Sequence, residues 1–257
     1  MQLYYNKLGS DPRTIIILHG LFGSHKNWYS VSRELSENYT VYIPDARNHG
    51  DSPHAPGHSL QDLTLDLFDF IKENNILDPV IIGHSMGGHT AMHFALKYPD
   101  LLKSLIVVDI APRRYSLNHD REFLAMEMDL SGARSREEVD RRIETVIPEK
   151  SLRQFLAMNL IDVNGVYQWK INVPALKNST FINEFPENPD KPFVKPVLFF
   201  AGGLSTFIKQ EDDSLIEKFF PSAEVVTIVG ADHWLHYTAK DEFLRITYEF
   251  LLKSFAT

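Results

Sequence analysis

The sequence predicts an α/β protein built on a doubly wound, mostly parallel sheet. Three observations carry that expectation. Short runs rich in β-branched residues are apolar at nearly every position rather than at every second one, the pattern of strands buried on both faces. Each run leads through a polar turn into an amphipathic stretch, so strand and helix alternate. The 257 residues, 44% hydrophobic and 23% charged, are enough for one domain with a large core.

The expected strands are "TIIILHG" (14–20), "YTVYIPDA" (39–46), "PVIIGHS" (79–85), "SLIVVDIA" (104–111), "PVLFFAGG" (196–203) and "AEVVTIVG" (223–230). Helical periodicity fills the intervals, in "NWYSVSRELSE", "LQDLTLDLFDFIKENN", "GHTAMHFALKYP", "DDSLIEKFF" and "KDEFLRITYEFLLKSF". One interval breaks the rhythm. Between Pro112 and about Pro192 the patterns read as helical and charged, as in "HDREFLAMEMDL" and "SREEVDRRIETV", and no strand is expected. Residues 1–257 are therefore read as a single domain, with 113–192 a helical cap inserted after the strand that ends at Asp109. Such an insertion, beside the carboxyl edge of the sheet, is placed to cover a ligand crevice.

Composition excludes several classes. A net charge of −8 and no dense Lys/Arg run leave nothing to neutralise phosphates, so no nucleic-acid partner is expected. The apolar runs are too short for membrane insertion. The absence of cysteine removes thiolate catalysis, disulfides and zinc–thiolate sites. The first residues, "MQLYYNKLGSD", lack the basic start and apolar stretch of a signal peptide, and a cytoplasmic location is expected. Oligomeric state is left open.

Gly83-His84-Ser85-Met86-Gly87 fits G-x-S-x-G and falls between an expected strand and an expected helix. A sharp strand-to-helix turn there would strain the serine and expose its hydroxyl, making Ser85 a candidate nucleophile; the plain alternative is a structural Ser-Gly turn. A serine needs a base. Of eleven histidines, His233 follows the last expected strand by a short loop at the edge where Ser85 emerges, and it is read as that base. His236 is read as structural.

The motifs "HGLFGS", "DARNHGDS", "GHSMGG" and "GADHWLH", in this order, resemble the α/β-hydrolase fold superfamily across nearly the whole chain. Members usually carry the triad acid after the next-to-last strand, where this chain has Ser205 in "FFAGGLSTFI". Serine cannot carry the charge that stabilises an imidazolium. Glu211, Asp212 and Asp213 lie further along and read as helix caps. Asp109 ends an apolar strand at the same sheet edge as Ser85 and His233, and a carboxylate there is costly to bury without a partner. It is read as the acid, the alternative being a carboxylate that orders the hinge of the insertion. With "VVDIAP" and "WKINVPAL", this arrangement resembles the small cytoplasmic serine esterases and thioesterases of the YbfF type.

An oxyanion needs two donors. Met86, after the nucleophile, offers one backbone N–H; the resemblance implies Leu21 for the other, with Phe22 the neighbouring alternative. Phe22 and Trp169 are candidate substrate contacts, packing within the cap being the alternative for Trp169, and Asn172 and Leu176 are expected near Ser85. "DARNHGDS" is read chiefly as a loop locked by its own hydrogen bonds. The expected activity is cleavage of a small-molecule acyl ester or thioester through an acyl-enzyme, with no metal and no organic cofactor. Cleavage of a C–C or peptide bond on the same triad, and a non-catalytic binding homologue, are the alternatives.

Overall fold

The computed structural model describes residues 1–116 and 118–256, so Leu117 of the insertion and Thr257 lie outside the described residues. In chain order the first half holds β1 (Tyr5–Leu8), β2 (Thr14–Leu18), α1 (His25–Leu35), β3 (Thr40–Pro44), α2 (Leu60–Glu73), β4 (Val80–His84), α3 (Met86–Lys97) and β5 (Ser104–Val108). The interval that follows carries α4 (Asp120–Met126), α5 (Arg136–Glu144), α6 (Lys150–Ala157), β6 (Leu160–Val163), β7 (Val166–Trp169) and α7 (Val173–Lys177). The chain then returns to the sheet with β8 (Val197–Gly202), α8 (Asp213–Phe219), β9 (Ala223–Ile228), α9 (Leu235–Thr238) and α10 (Lys240–Ala256).

Seven strands form one sheet in the order β1-β3-β2-β4-β5-β8-β9. All neighbours run parallel except β1, which pairs antiparallel to β3 with Tyr5 opposite Pro44. From β2 the chain moves out to β3, then crosses back to β4 on the other side of β2. The topological switch point thus falls between β2 and β4, where open α/β sheets place their ligand crevices.

Alternate residues of each strand feed two different cores. Ile15 and Ile17 of β2, Ile82 of β4 and Phe200 of β8 pack with Trp28 and Leu35 of α1 and Phe243 and Leu251 of α10. Ile16 and Leu18, Ile81 and Phe199 pack on the opposite face with Leu63 and Leu67 of α2, Met92 and Phe94 of α3 and Phe219 of α8. Burial on both faces is why these strands read as unbroken apolar runs. Among the described residues no helix is long and apolar enough to cross a membrane.

Two departures from the sequence expectation concern strands. The edge strand β1 was not expected; its four residues alternate between exposed and half-buried, too short a run to register as a period of two. The insertion is not wholly helical, because β6 and β7 form a separate hairpin with Val163 opposite Val166. The two residues between them, Asn164 at φ 56° and Gly165 at φ 81°, both adopt the left-handed region that a tight two-residue hairpin turn demands. "DVNGVY" carries that Asn-Gly signal in plain sight.

The insertion has its own small core of Phe123, Met126, Ile143, Leu156, Val173 and Leu176, with Phe22 of the sheet domain buried in it. It is fastened to the loop after β3: the backbone N–H of Asn172 donates to Asn48 O at 3.0 Å and its side chain to Asn48 Oδ1 at 2.9 Å. His54 Nε2 donates to the Lys170 carbonyl at 2.9 Å.

Candidate active site

The turn between β4 and α3 is held by force of packing. Ser85 lies at φ 51°, ψ −114°, a region that costs an L-residue roughly 1–3 kcal/mol and persists only where the surroundings over-determine it. Its N–H donates to Val108 O at 3.1 Å and its carbonyl accepts from His89 at 2.9 Å. A Cβ on Gly83 would meet the Gly87 carbonyl oxygen at 2.3 Å, and one on Gly87 would meet the Leu18 carbonyl oxygen at 2.3 Å. Glycine at these two positions is what lets helix, elbow and neighbouring strand close on one another.

Asp109 follows β5, the next strand over, and is fully buried at φ 52°. Its carboxylate is saturated with donors. Oδ1 accepts the Gly202 N–H at 2.9 Å, and Oδ2 accepts the Ser205 hydroxyl at 2.5 Å and His233 Nδ1 at 2.7 Å. A carboxylate only accepts, so the His233 proton sits on Nδ1 and leaves Nε2 with its lone pair. Ser205 therefore stands beside the acid and donates to it. Its oxygen also accepts the Phe207 N–H at 3.2 Å, and the Phe207 ring stacks on His233 with centroids 4.0 Å apart. Neither Ser205 as a donor nor Phe207 as a platform was anticipated; the signal available was a hydroxyl at a strand end that lacks its acid.

His84 joins the elbow to the loop of His233: its Nε2 donates to the His233 carbonyl at 2.8 Å. Burial, with His233 and His236 nearby, holds the His84 imidazole well below its ordinary pKa. His236 stacks on Trp28 with centroids 4.1 Å apart, and burial pushes it down to about 3. Both rings are neutral at physiological pH; His236 acts as packing, and His84 ties the elbow to the His233 loop.

In the loop after β2, the Phe22 amide is already engaged, donating to His49 Nε2 at 3.2 Å. The Leu21 amide has no hydrogen-bond partner among the described residues. His19 braces this loop, its Nδ1 donating to Gly20 O at 2.9 Å and its Nε2 accepting from Ala46 N–H at 3.0 Å. Met86 opens α3, so its amide belongs to the unpaired first turn of that helix.

A cavity of about 320 Å³ opens beside the elbow, between α1, α6 and the loop that follows β9. Gly20, His84, Asp232 and Trp234 line it, while Ser85 and His233 do not.

The sequence pattern of the alpha/beta hydrolase fold matches residues 13–240. The chain belongs to the α/β hydrolase fold family. It is 35% identical over 98% of its length to sn-1-specific diacylglycerol lipase ABHD11 of Mus musculus, covering 85% of that protein. It is 32% identical to esterase YbfF of Escherichia coli, with 97% of this chain and 96% of that one aligned. Among solved structures, a marine microorganism esterase superposes with a TM-score of 0.93 at 41% identity, covering 97% of this chain and 99% of that one.

Against this α/β hydrolase frame the residues singled out in the sequence divide in two. Leu21 follows β2, Ser85 and Met86 follow β4, Asp109 follows β5 and His233 follows β9, and of these Asp109 and His233 are directly bonded to each other. Phe22 and Trp169, the expected substrate contacts, both pack on the insertion. Phe22, at φ 62°, is buried against Phe123 and His119, each ring centroid 5.4 Å away, inside the core of the insertion. Trp169 ends β7, half-buried against both clusters of the insertion, and lines no wall of the cavity. Leu176 is core, and Asn172 is spent on Asn48 and on capping α7.

The loop "DARNHGDS" is occupied by its own contacts. Asp45 accepts from the His25 N–H at 2.6 Å and the Asp51 N–H at 2.8 Å, and its carboxylate lies 3.0 Å from His25 Nδ1. Burial pushes that carboxyl up, but these bonds and the nearby His19 outweigh it and hold the pKa below the usual value. Arg47 pairs with Asp66 at 2.5 Å and Asp62 at 2.9 Å. Asp212, downstream of β8, is buried in an ion pair with Arg113 at 2.7 Å.

Proposed function

We propose that this chain is a carboxylic ester hydrolase that works through an acyl-enzyme, with Ser85 as nucleophile, His233 as general base and Asp109 as the acid. One observation carries the reading: a serine strained at φ 51° on a strand-to-helix elbow shares its sheet edge with a histidine whose Nδ1 is bonded at 2.7 Å to a fully buried carboxylate. His233 Nε2 takes the Ser85 proton as Oγ attacks the acyl carbon. Asp109 fixes the tautomer and stabilises the imidazolium that results. The Leu21 and Met86 amides receive the oxyanion, and the positive end of α3 adds to that stabilisation. His233 then protonates the leaving oxygen, and a water deprotonated by the same nitrogen releases the carboxylic acid.

The esterase and lipase relatives support the ester class. Acyl thioesters belong to the same reading, since their carbonyl carbon presents the same electrophile to Ser85. Residues 113–192 act as the cap of this site, a role supported by their own core and by the burial of Phe22 within it.

The test is labelling with a fluorophosphonate together with turnover of short acyl esters. The expected result is one adduct, on Ser85, and loss of both labelling and turnover in Ser85→Ala. Turnover that survives in purified Ser85→Ala would overturn the reading.

A further inference from the structure

We infer that the cavity between α1, α6 and the loop carrying His233 binds the leaving group of the substrate, an apolar alcohol or thiol portion of about a dozen non-hydrogen atoms. The inference rests on the ester-hydrolase reading above and narrows it to a substrate class.

Position comes first. When the acyl–oxygen bond breaks, the electron pair goes to the leaving oxygen and the proton on His233 Nε2 follows it. The leaving group must therefore lie on the His233 side of the acyl carbon. Asp232 and Trp234, the chain neighbours of His233, both line the cavity. Gly20, next to the Leu21 amide, forms part of the facing wall, and a Cβ on Gly20 would lie 3.3 Å from Ser85 Cβ. An ester whose carbonyl oxygen rests on the Leu21 and Met86 amides, with its leaving oxygen toward His233, directs its alcohol into this space.

Chemistry and size come next. The walls include Trp28, Phe155, Met158 and Trp234. Phe155 of α6 faces Trp234 with ring centroids 5.6 Å apart, and Asn27 Nδ2 reaches across to Met158 Sδ at 3.4 Å, so α6 closes the cavity from the insertion side. Burial keeps the His84 and His236 imidazoles of the inner wall neutral. The charged side chains of the lining are Asp232, whose Oδ1 accepts the Trp234 N–H at 2.8 Å and the Thr238 hydroxyl at 3.1 Å, and Lys26, which is exposed. An apolar cavity of roughly 150 Å³ accommodates benzene, so about 320 Å³ fits two rings or an equivalent chain.

The experiment varies the two halves of the ester separately. Acetates of ethanol, hexanol, 2-(1-naphthyl)ethanol and hexadecanol hold the acyl group and the leaving-group acidity constant. Ethyl acetate against ethyl hexanoate varies the acyl group alone. In the wild type we expect kcat/KM for the naphthylethyl acetate at least 10-fold above that for ethyl acetate, with no further gain for hexadecyl acetate. Met158→Trp, which fills the cavity, should cut the naphthylethyl-to-ethyl ratio at least 5-fold, and Phe155→Ala should move the optimum to a longer alcohol, both without changing the hexanoate-to-acetate ratio. A change confined to the hexanoate-to-acetate ratio would assign the cavity to the acyl group and overturn the inference, as would two unchanged ratios. Turnover of ethyl acetate and labelling of Ser85 would stand in those cases, leaving the hydrolase reading intact. A wild type that turns over none of these esters would overturn both.

Discussion

The elbow and the insertion are built on opposite terms. At the elbow, strained backbone is locked by backbone: Ser85 and Asp109 both hold positive φ, and Gly83 has the Gly87 carbonyl oxygen 2.3 Å from where its Cβ would be. In the insertion the tightest feature is the Asn164-Gly165 turn, and nothing lies within 4 Å of a Cβ built on Gly165. The first region tolerates almost no alternative residue, whereas the second asks only for the right local turn. Chemistry that depends on tenths of an ångström belongs on the first kind of framework.

The contrast can be tested from its largest consequence downward. Ser85→Ala should keep the fold and lose on the order of 10⁴ to 10⁶ in kcat, as removal of a triad nucleophile does elsewhere. Steady-state turnover alongside circular dichroism separates lost chemistry from lost folding. Burial holds His49 and His84 well below the ordinary histidine pKa, His58 and His236 at about 3 and His89 at about 4. A lowered folded-state pKa means that the unfolded chain takes up protons first, so stability is full above about 6.5 and is lost as pH falls towards 4. Each such histidine contributes roughly 1 kcal/mol of that loss by pH 5.5, so the urea midpoint should drop steeply between pH 7 and 5.5. A flat midpoint over that range would mean that these imidazoles are not buried neutral.

Smaller effects separate the two regions directly. Gly83→Ala should destabilise by about 3 kcal/mol, since only backbone atoms could yield to the new methyl group. Gly165→Ala should cost about 1 kcal/mol, the ordinary penalty for a left-handed L-residue in open space. Similar melting temperatures for the two variants would erase the distinction. Trp169→Ala should cost about 2 kcal/mol, less than a fully buried tryptophan would, and leave the rank order of ester substrates fixed. A reordering of substrates would bring Trp169 back as a substrate contact.

The same contrast explains what could be read from the chain. The buried strands were legible because burial on both faces leaves an apolar run that no surface requirement interrupts. Ser85 was legible as a candidate because a tight elbow forces glycines into a fixed spacing, and His233 because it follows the last strand by a short loop. Asp109 was found by elimination, from a missing acid at Ser205, but the hydroxyl of Ser205 donating to that same carboxylate is a tertiary fact with no local period. Phe22 sits in a motif that reads as site-lining, yet its left-handed backbone aims the ring into the insertion, a choice set by Phe123 and His119 a hundred residues away in sequence. The hairpin at 160–169 was legible in its Asn-Gly pair and was masked by the helical charge patterns around it.

The acid is the most exposed claim, because two buried carboxylates lie near the carboxyl edge of β8 and only one touches His233. Asp109 is bonded to His233 Nδ1 at 2.7 Å, whereas Asp212 is committed to Arg113 at 2.7 Å. The decisive measurement is kcat near neutral pH for Asp109→Asn beside Asp212→Asn. Asparagine fills the same volume and tolerates positive φ, so Asp109→Asn should remain folded. The expected result is a loss of about 10⁴ in kcat for Asp109→Asn and near-normal turnover for Asp212→Asn. Near-normal turnover by Asp109→Asn, with collapse in Asp212→Asn, would contradict the assignment and move the acid to the segment after β8.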